Sequence, residues 1–117
     1  MTSAMQAIGA EAEETAARFL ASKGLSIVAR NFRTRFGELD LVARDGETLV
    51  FVEVRLRTSA HFGGAAASVD SSKRARLVAA ARAYLARLAS EPPCRFDVVT
   101  LDGDSAKWIP AAFEVAG

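Results

Sequence analysis

Glu38, Asp40, Glu53 and Arg55 stand in the run FGELDLVARDGETLVFVEVRLR, between Phe36 and Arg57, where most neighbours are residues that gain by leaving water. A carboxylate in such a setting costs free energy unless something meets it, so the polar interruptions of an apolar strand are where chemistry is to be sought. Acids gathered at one place repel, raising one another's pKa or destabilising the segment that carries them. Relief comes from Arg55, from Arg57 or from a divalent cation. Oxygen-only ligands suit a hard ion such as Mg²⁺ or Mn²⁺, which keeps several waters and takes one or two carboxylates. An ion held this way activates water and neutralises the charge that builds on a phosphodiester. The competing reading is a solvated strand end in which Glu38 pairs with Arg55.

The two strands that carry these acids are joined by Asp45-Gly46, a strong hairpin signal because glycine tolerates the positive φ of a type I′ turn. With those two as the loop, Arg44 faces Glu47 and Glu53 faces Glu38, while Asp40 lies diagonal to Glu53. Alternation then puts Glu38, Asp40, Val42, Leu49, Phe51, Glu53 and Arg55 on one face of the sheet. Leu39, Leu41, Ala43, Val50, Val52 and Val54 take the other. Asp40 and Glu53 fall on the order of 5 to 8 Å apart at Cβ. Val42, Leu49 and Phe51 on the acid-bearing face imply that a helix covers it. Covered acids need partners.

The remaining elements follow from spacing. Ala16, Ala17, Phe19 and Leu20 recur at helical intervals over about 8–22, and Gly24 stops that helix. LSIVARNF reads as a strand, with Asn31 beginning the approach to a turn near Thr34 and Arg35. The glycine-rich TSAHFGGAAASVDS has no period and reads as a loop. Asp70, Ser71 or Ser72 caps a second helix to about Ala89, with Leu77, Ala81, Leu85 and Leu88 as its apolar stripe and Pro92 and Pro93 beyond its end. CRFDVVTL is a further strand, and KWIPAAF a short last strand or irregular tail limited by Pro110. The order α, β, β, β, α, β predicts an α/β fold: a mixed central sheet, made of a three-stranded antiparallel meander plus a crossover strand, flanked by helices.

The totals bound the partners. At 117 residues, half of them hydrophobic and a quarter charged, the chain is read as one globular domain over 1–117. No apolar run approaches the roughly 20 residues that span a bilayer, so a cytoplasmic protein without a membrane partner is expected. One cysteine, Cys94, allows no internal disulfide, and no Cys/His cluster has zinc-ligand spacing. Net charge is only +1, but Lys73, Arg74, Arg76, Arg82 and Arg87 form an acid-free basic stretch on the second helix. Such a stretch is either a solvated helix face or a contact for phosphate backbone. Arg30, Arg33 and Arg35 add a second basic group ahead of the acidic strand, and Arg57 follows it. Trp108 and Phe113 are read as core or edge packing, and His61 as incidental.

FGELD followed by VFVEVR resembles the YraN family of uncharacterised bacterial proteins, similar in turn to Holliday-junction resolvases of the restriction-endonuclease-like superfamily. The resemblance extends through GAEAEETAARFL, ARNFRTRFGELDLVARDGETLVFVEVRLR, FGGAAASVDSSKRARL and CRFDVV. It implies a restriction-endonuclease-like fold and a metal-dependent DNA endonuclease, selective for branched DNA, that hydrolyses phosphodiester bonds. Carried over by position, the implied catalytic residues are Glu13, Asp40, Glu53 and Arg55, with Asp40, Glu53 and the carbonyl of Val54 as ligands to Mg²⁺ or Mn²⁺. Glu13 completes or orients the site, or else shares a solvated helix face with Glu11 and Glu14. Arg33, Arg35, Arg57, Lys73, Arg74 and Arg76 are the expected nucleic-acid contacts, DNA the expected partner, and a homodimer the arrangement that cutting two strands calls for.

Arg55 departs from the superfamily's lysine. An arginine keeps its proton in a protein, so Arg55 orients a nucleophile or stabilises charge but is no general base. The alternative is a catalytically inactive nucleic-acid-binding module, and a third is a protein-interaction adaptor whose acids are an ion pair. Ala12 stands where the family has a second glycine in the first helix.

Overall fold

The computed structural model describes residues 4–56, 71–103 and 105–113. Its elements are α1 (Ala4–Ser22), β1 (Ser26–Arg33), β2 (Glu38–Asp45), β3 (Thr48–Leu56), α2 (Ser71–Leu85), β4 (Cys94–Asp102) and β5 (Ser105–Phe113). The five strands form one sheet in chain order. β1, β2 and β3 are an antiparallel meander, β3 and β4 are parallel, and β5 returns antiparallel to β4. Parallel neighbours cannot be joined by a tight turn, so α2 sits in the crossover between β3 and β4. The expected mixed sheet with flanking helices is present. The glycine-rich segment after β3, with Arg57, His61 and the Asp70 cap, lies outside the described residues.

One helix packs on each face, and period-two alternation decides which residues it meets. α1 lays Ala12, Ala16, Ala17 and Leu20 on Leu41, Ala43, Val50, Val52, Val99 and Leu101. The alanines let the helix lie close. On the opposite face α2 sets Leu77, Ala80 and Ala81 against Val42, Leu49, Phe51, Phe96 and Val98. Phe51 is 1 % exposed, and burial of each such side chain stabilises the fold by about 1.5–3 kcal/mol. α1 ends at Gly24, whose φ of +98° closes the helix as expected.

The β2–β3 register differs from the expected one by two residues. Asp45 pairs with Thr48 and Leu41 with Val52, so the loop is Gly46-Glu47 rather than Asp45-Gly46. Gly46 (φ +61°) takes the first loop position, where a type II′ turn needs glycine. Asp45 is drawn into the strand by Arg95 of β4, whose Nη2 donates to Asp45 Oδ2 at 3.0 Å. A shift of two preserves face parity, which keeps Glu53 on the α2 side with Phe51.

Parity fails at Leu39. It packs with Val42 and Phe51 under α2, not with Leu41 under α1. Asn31, which falls between the Arg30–Leu41 and Phe32–Leu39 pairs, has φ +52° and interrupts the alternation of β1. Regular β2–β3 pairing also stops at Leu41–Val52, one residue short of Asp40. β5 is a full strand of nine residues rather than an irregular tail. Pro110 is tolerated because β5 lies at the sheet edge, and the ladder shifts register there beside Ala111 (φ +50°).

Candidate active site

Asp40 sits where regular β2–β3 pairing has ended, and its carboxylate takes the bond that the backbone leaves over: Val54 N–H donates to Oδ2 at 2.8 Å. Glu53, one residue earlier on β3, points towards α2 and its side chain is 8 % exposed. Both acids line one cleft of about 420 Å³. Thr34, Phe36 and Gly37 of the β1–β2 turn form one wall, and Lys73, Arg76 and Leu77 of α2 form another. Glu38, Arg33 and Arg35 complete the lining.

Asp40's pKa is pushed up to about 7. Burial is the largest cause and the charge of Glu53 the next; the Val54 N–H bond works against both, and Glu13 and Glu38 add smaller upward pushes. The carboxyl therefore holds its proton into the neutral range. Glu53 is met by two cations at the same oxygen, Lys73 Nζ at 3.0 Å and Arg55 Nε at 3.8 Å from Oε1. Lys73 reaches across from α2. The expected relief by Arg55 is thus present but shared, with the lysine closer.

The other residues singled out in the sequence divide. Glu38 pairs with Arg33 across the β1–β2 strands at 3.2 Å rather than with Arg55. Glu13 is half-buried on α1 and near enough to raise Asp40, although it does not line the cleft. Val54 meets the site through its N–H. Arg35, Lys73 and Arg76 stand in the cleft wall, whereas Arg74 lies over the Phe113 ring at 5.4 Å, away from it. Arg30 is engaged by Glu14, which Arg30 first and Arg18 second hold below the usual carboxylate range. Arg87 lies over the Phe32 ring at 5.3 Å. α2 ends at Leu85, short of the expected Ala89, so Arg87 falls beyond it; the basic stretch is spread out, with two members, Lys73 and Arg76, at the acids. Arg57 lies outside the described residues.

Two features were not singled out in the sequence. Asp97 is 1 % exposed on β4, where Arg95 Nε (3.0 Å), Trp108 Nε1 (2.9 Å) and Ala111 N–H (2.8 Å) donate to it. Its signal was available, since an acid inside CRFDVV is as anomalous as one inside GELDLV. Gly37 abuts α2 so closely that a Cβ there would stand 2.5 Å from the Arg76 carbonyl oxygen. No local sequence signal marks that contact.

Whether the cleft suits a hard cation can be judged from its donors. Two carboxylates, one with its pKa raised by burial and then by its neighbour's charge, are an oxygen set that suits a divalent ion. Among the described residues no three His, Cys, Asp or Glu side chains converge as a metal-binding group, and the acids Asp40 and Glu53 in the cleft are a pair. A pair is what Mg²⁺ commonly takes, with water filling its other positions. No helix of the described residues is long and apolar enough to cross a membrane.

Residues 12–101 match the model of the uncharacterised protein family UPF0102. The chain is 54 % identical over 110 residues to a UPF0102 protein of Nitrosospira multiformis, covering 92 % of each chain. It is 56 % identical over 111 residues to one of Cupriavidus taiwanensis, covering 93 % of this chain and 84 % of that one. It is 50 % identical over 112 residues to a UPF0102 protein of Methylobacillus flagellatus, covering 93 % of this chain and 98 % of that one.

Proposed function

This chain belongs to the UPF0102 family of uncharacterised proteins, and we propose that it is a metal-dependent DNA endonuclease with a restriction-endonuclease-like fold, hydrolysing phosphodiester bonds in branched DNA. One observation carries the reading: Asp40 and Glu53 line one cleft closely enough that Glu53's charge helps keep Asp40 protonated near neutral pH. Asp40 and Glu53 would hold Mg²⁺ or Mn²⁺, with the Val54 carbonyl and Glu13 as supporting groups. The ion supplies activation of water and neutralisation of phosphate charge. The chain's own residues do the rest. Arg33, Arg35 and Arg76 bring positive charge to the cleft for the phosphate backbone. Lys73 and Arg55 meet Glu53's carboxylate and would stabilise negative charge on a phosphate bound beside it. The test is nicking of a branched duplex in Mg²⁺ or Mn²⁺ by the native protein and by Glu53→Gln. Cleavage by the former alone is expected, and an inert native protein on branched, single-stranded and duplex DNA refutes the activity.

A second reading is supported by the cations on Glu53. With Lys73 and Arg55 both within 4 Å, that carboxylate is already compensated, as in a nucleic-acid-binding module that has lost turnover. Arg55→Lys separates the two: cleavage gained by the variant and absent from the native chain favours the silent module.

A further inference from the structure

Phe36 is 61 % exposed, one of three large apolar side chains so placed among the described residues and the only aromatic among them. A single exposed ring is unremarkable in a mobile loop, but this one stands on a braced turn. Thr34 N–H donates to the Gly37 carbonyl at 2.8 Å, and Thr34 Oγ1 accepts from the N–H groups of Phe36 and Gly37, each at 3.1 Å. Gly37 in turn presses on the Arg76 carbonyl of α2, so the turn is wedged between strand and helix. The ring lines the cleft that holds Asp40 and Glu53, with the Arg35 guanidinium over it at 5.4 Å from the centroid. A flat apolar ring carried in water on a braced turn, in a cleft with Arg33, Arg35, Lys73 and Arg76, has the composition of a base-stacking site: cations for the backbone and a π-face for a base.

We propose that Phe36 is a stacking platform for an unpaired nucleobase at the rim of the acid cleft, so that this protein selects DNA with a base freed from the duplex, as at a branch point or flap. The inference rests on the proposed function for the identity of its ligand as DNA. In intact duplex every base face is covered by its neighbours, and the ring gains nothing there. A base already unpaired costs little to swing onto the ring, and its phosphates fall among the cleft arginines.

The experiment uses the full chain without added metal and a three-way DNA junction carrying 2-aminopurine at the branch, beside uninterrupted duplex of the same sequence. Native protein should quench the branch-point probe. Phe36→Ala should abolish the quench and weaken junction binding about 5- to 100-fold, with duplex binding changed less than about twofold, while Phe36→Trp restores both. An alanine variant that binds junction as the native chain does, or that loses junction and duplex equally, overturns the platform. Cleavage with Mn²⁺ is scored separately. Stacking without any cutting leaves the platform standing and removes the nuclease activity, and cutting with no effect of Phe36→Ala does the reverse.

Discussion

Asp40→Asn should stabilise this protein, and by an amount that depends on pH in a sense opposite to ordinary acid denaturation. Below about 3.8 the carboxyl is protonated in folded and unfolded chains alike, so its ionisation adds nothing. Above that value the unfolded chain releases the proton while the folded chain retains it up to about 7. The folded state then binds more protons, and its stability falls as pH rises through that window. Moving the carboxyl from 3.8 to about 7 corresponds to about 4 kcal/mol between its two protonation states. Asparagine carries no charge to desolvate, and its carbonyl still accepts from Val54 N–H. The stability gap between variant and native chain should therefore widen by about 3 kcal/mol between pH 5 and pH 8.

Urea unfolding of both proteins at the two pH values measures this gap, with equal m-values required for the comparison. Taking the difference removes the titration of distant acids. A gap that stays constant across pH, or a variant destabilised throughout, refutes the account of Asp40. Repeating the series with Mn²⁺ isolates the metal. An ion on the ionised pair competes with the Asp40 proton, so it should recover native stability at pH 8, by about 2.7 kcal/mol at a hundred times its Kd, and do little for Asp40→Asn. A native protein indifferent to Mn²⁺ would refute the metal site while leaving the pH result intact.

Asp97→Asn should destabilise the fold by about 1–3 kcal/mol, because the buried charged acceptor of three hydrogen bonds becomes a neutral amide and the half-buried Arg95 is left with Asp45 as its acid. The emission of Trp108, the single tryptophan, which donates to Asp97 at 2.9 Å, should shift in the folded variant. Gly37→Ala should cost about 1–3 kcal/mol in urea unfolding, since its Cβ would meet a backbone oxygen of α2 that no rotamer can move aside.

The sequence made face parity legible and left the exact pairing hidden. Strand alternation has period two, so the placement of Glu53 with Phe51 on the helix-covered side could be read from the hairpin alone. The two-residue error in register came from outside the hairpin: Asp45 joins β2 through Arg95, fifty positions away, which no local turn signal contains. Leu39 changed faces for a related reason. The sequence puts Asn31 at the approach to a turn, and its tolerance of positive φ is expressed instead as a break inside β1. Lys73 was legible as a cation and as helical, but not as the partner of Glu53, because that contact depends on how α2 lies across the sheet.

The rule that pointed to Asp40, an acid inside an apolar strand, applies equally to Asp97, and their surroundings separate a structural acid from a functional candidate. Asp97 receives bonds from a guanidinium, an indole N–H and a backbone N–H, so its charge is answered from within the chain. Asp40 receives one backbone N–H and faces Glu53, Glu13 and Glu38, so its charge is opposed rather than answered. Stability alone would favour an amide or an apolar residue at Asp40, whereas at Asp97 it favours the acid. A carboxyl opposed in this way beside a second one, in a cleft with arginines at its edge, is what the proposed cation site calls for. That contrast makes the pair Asp40→Asn and Asp97→Asn informative together. Opposite signs in stability are expected, and equal destabilisation by both would place Asp40 among the structural acids.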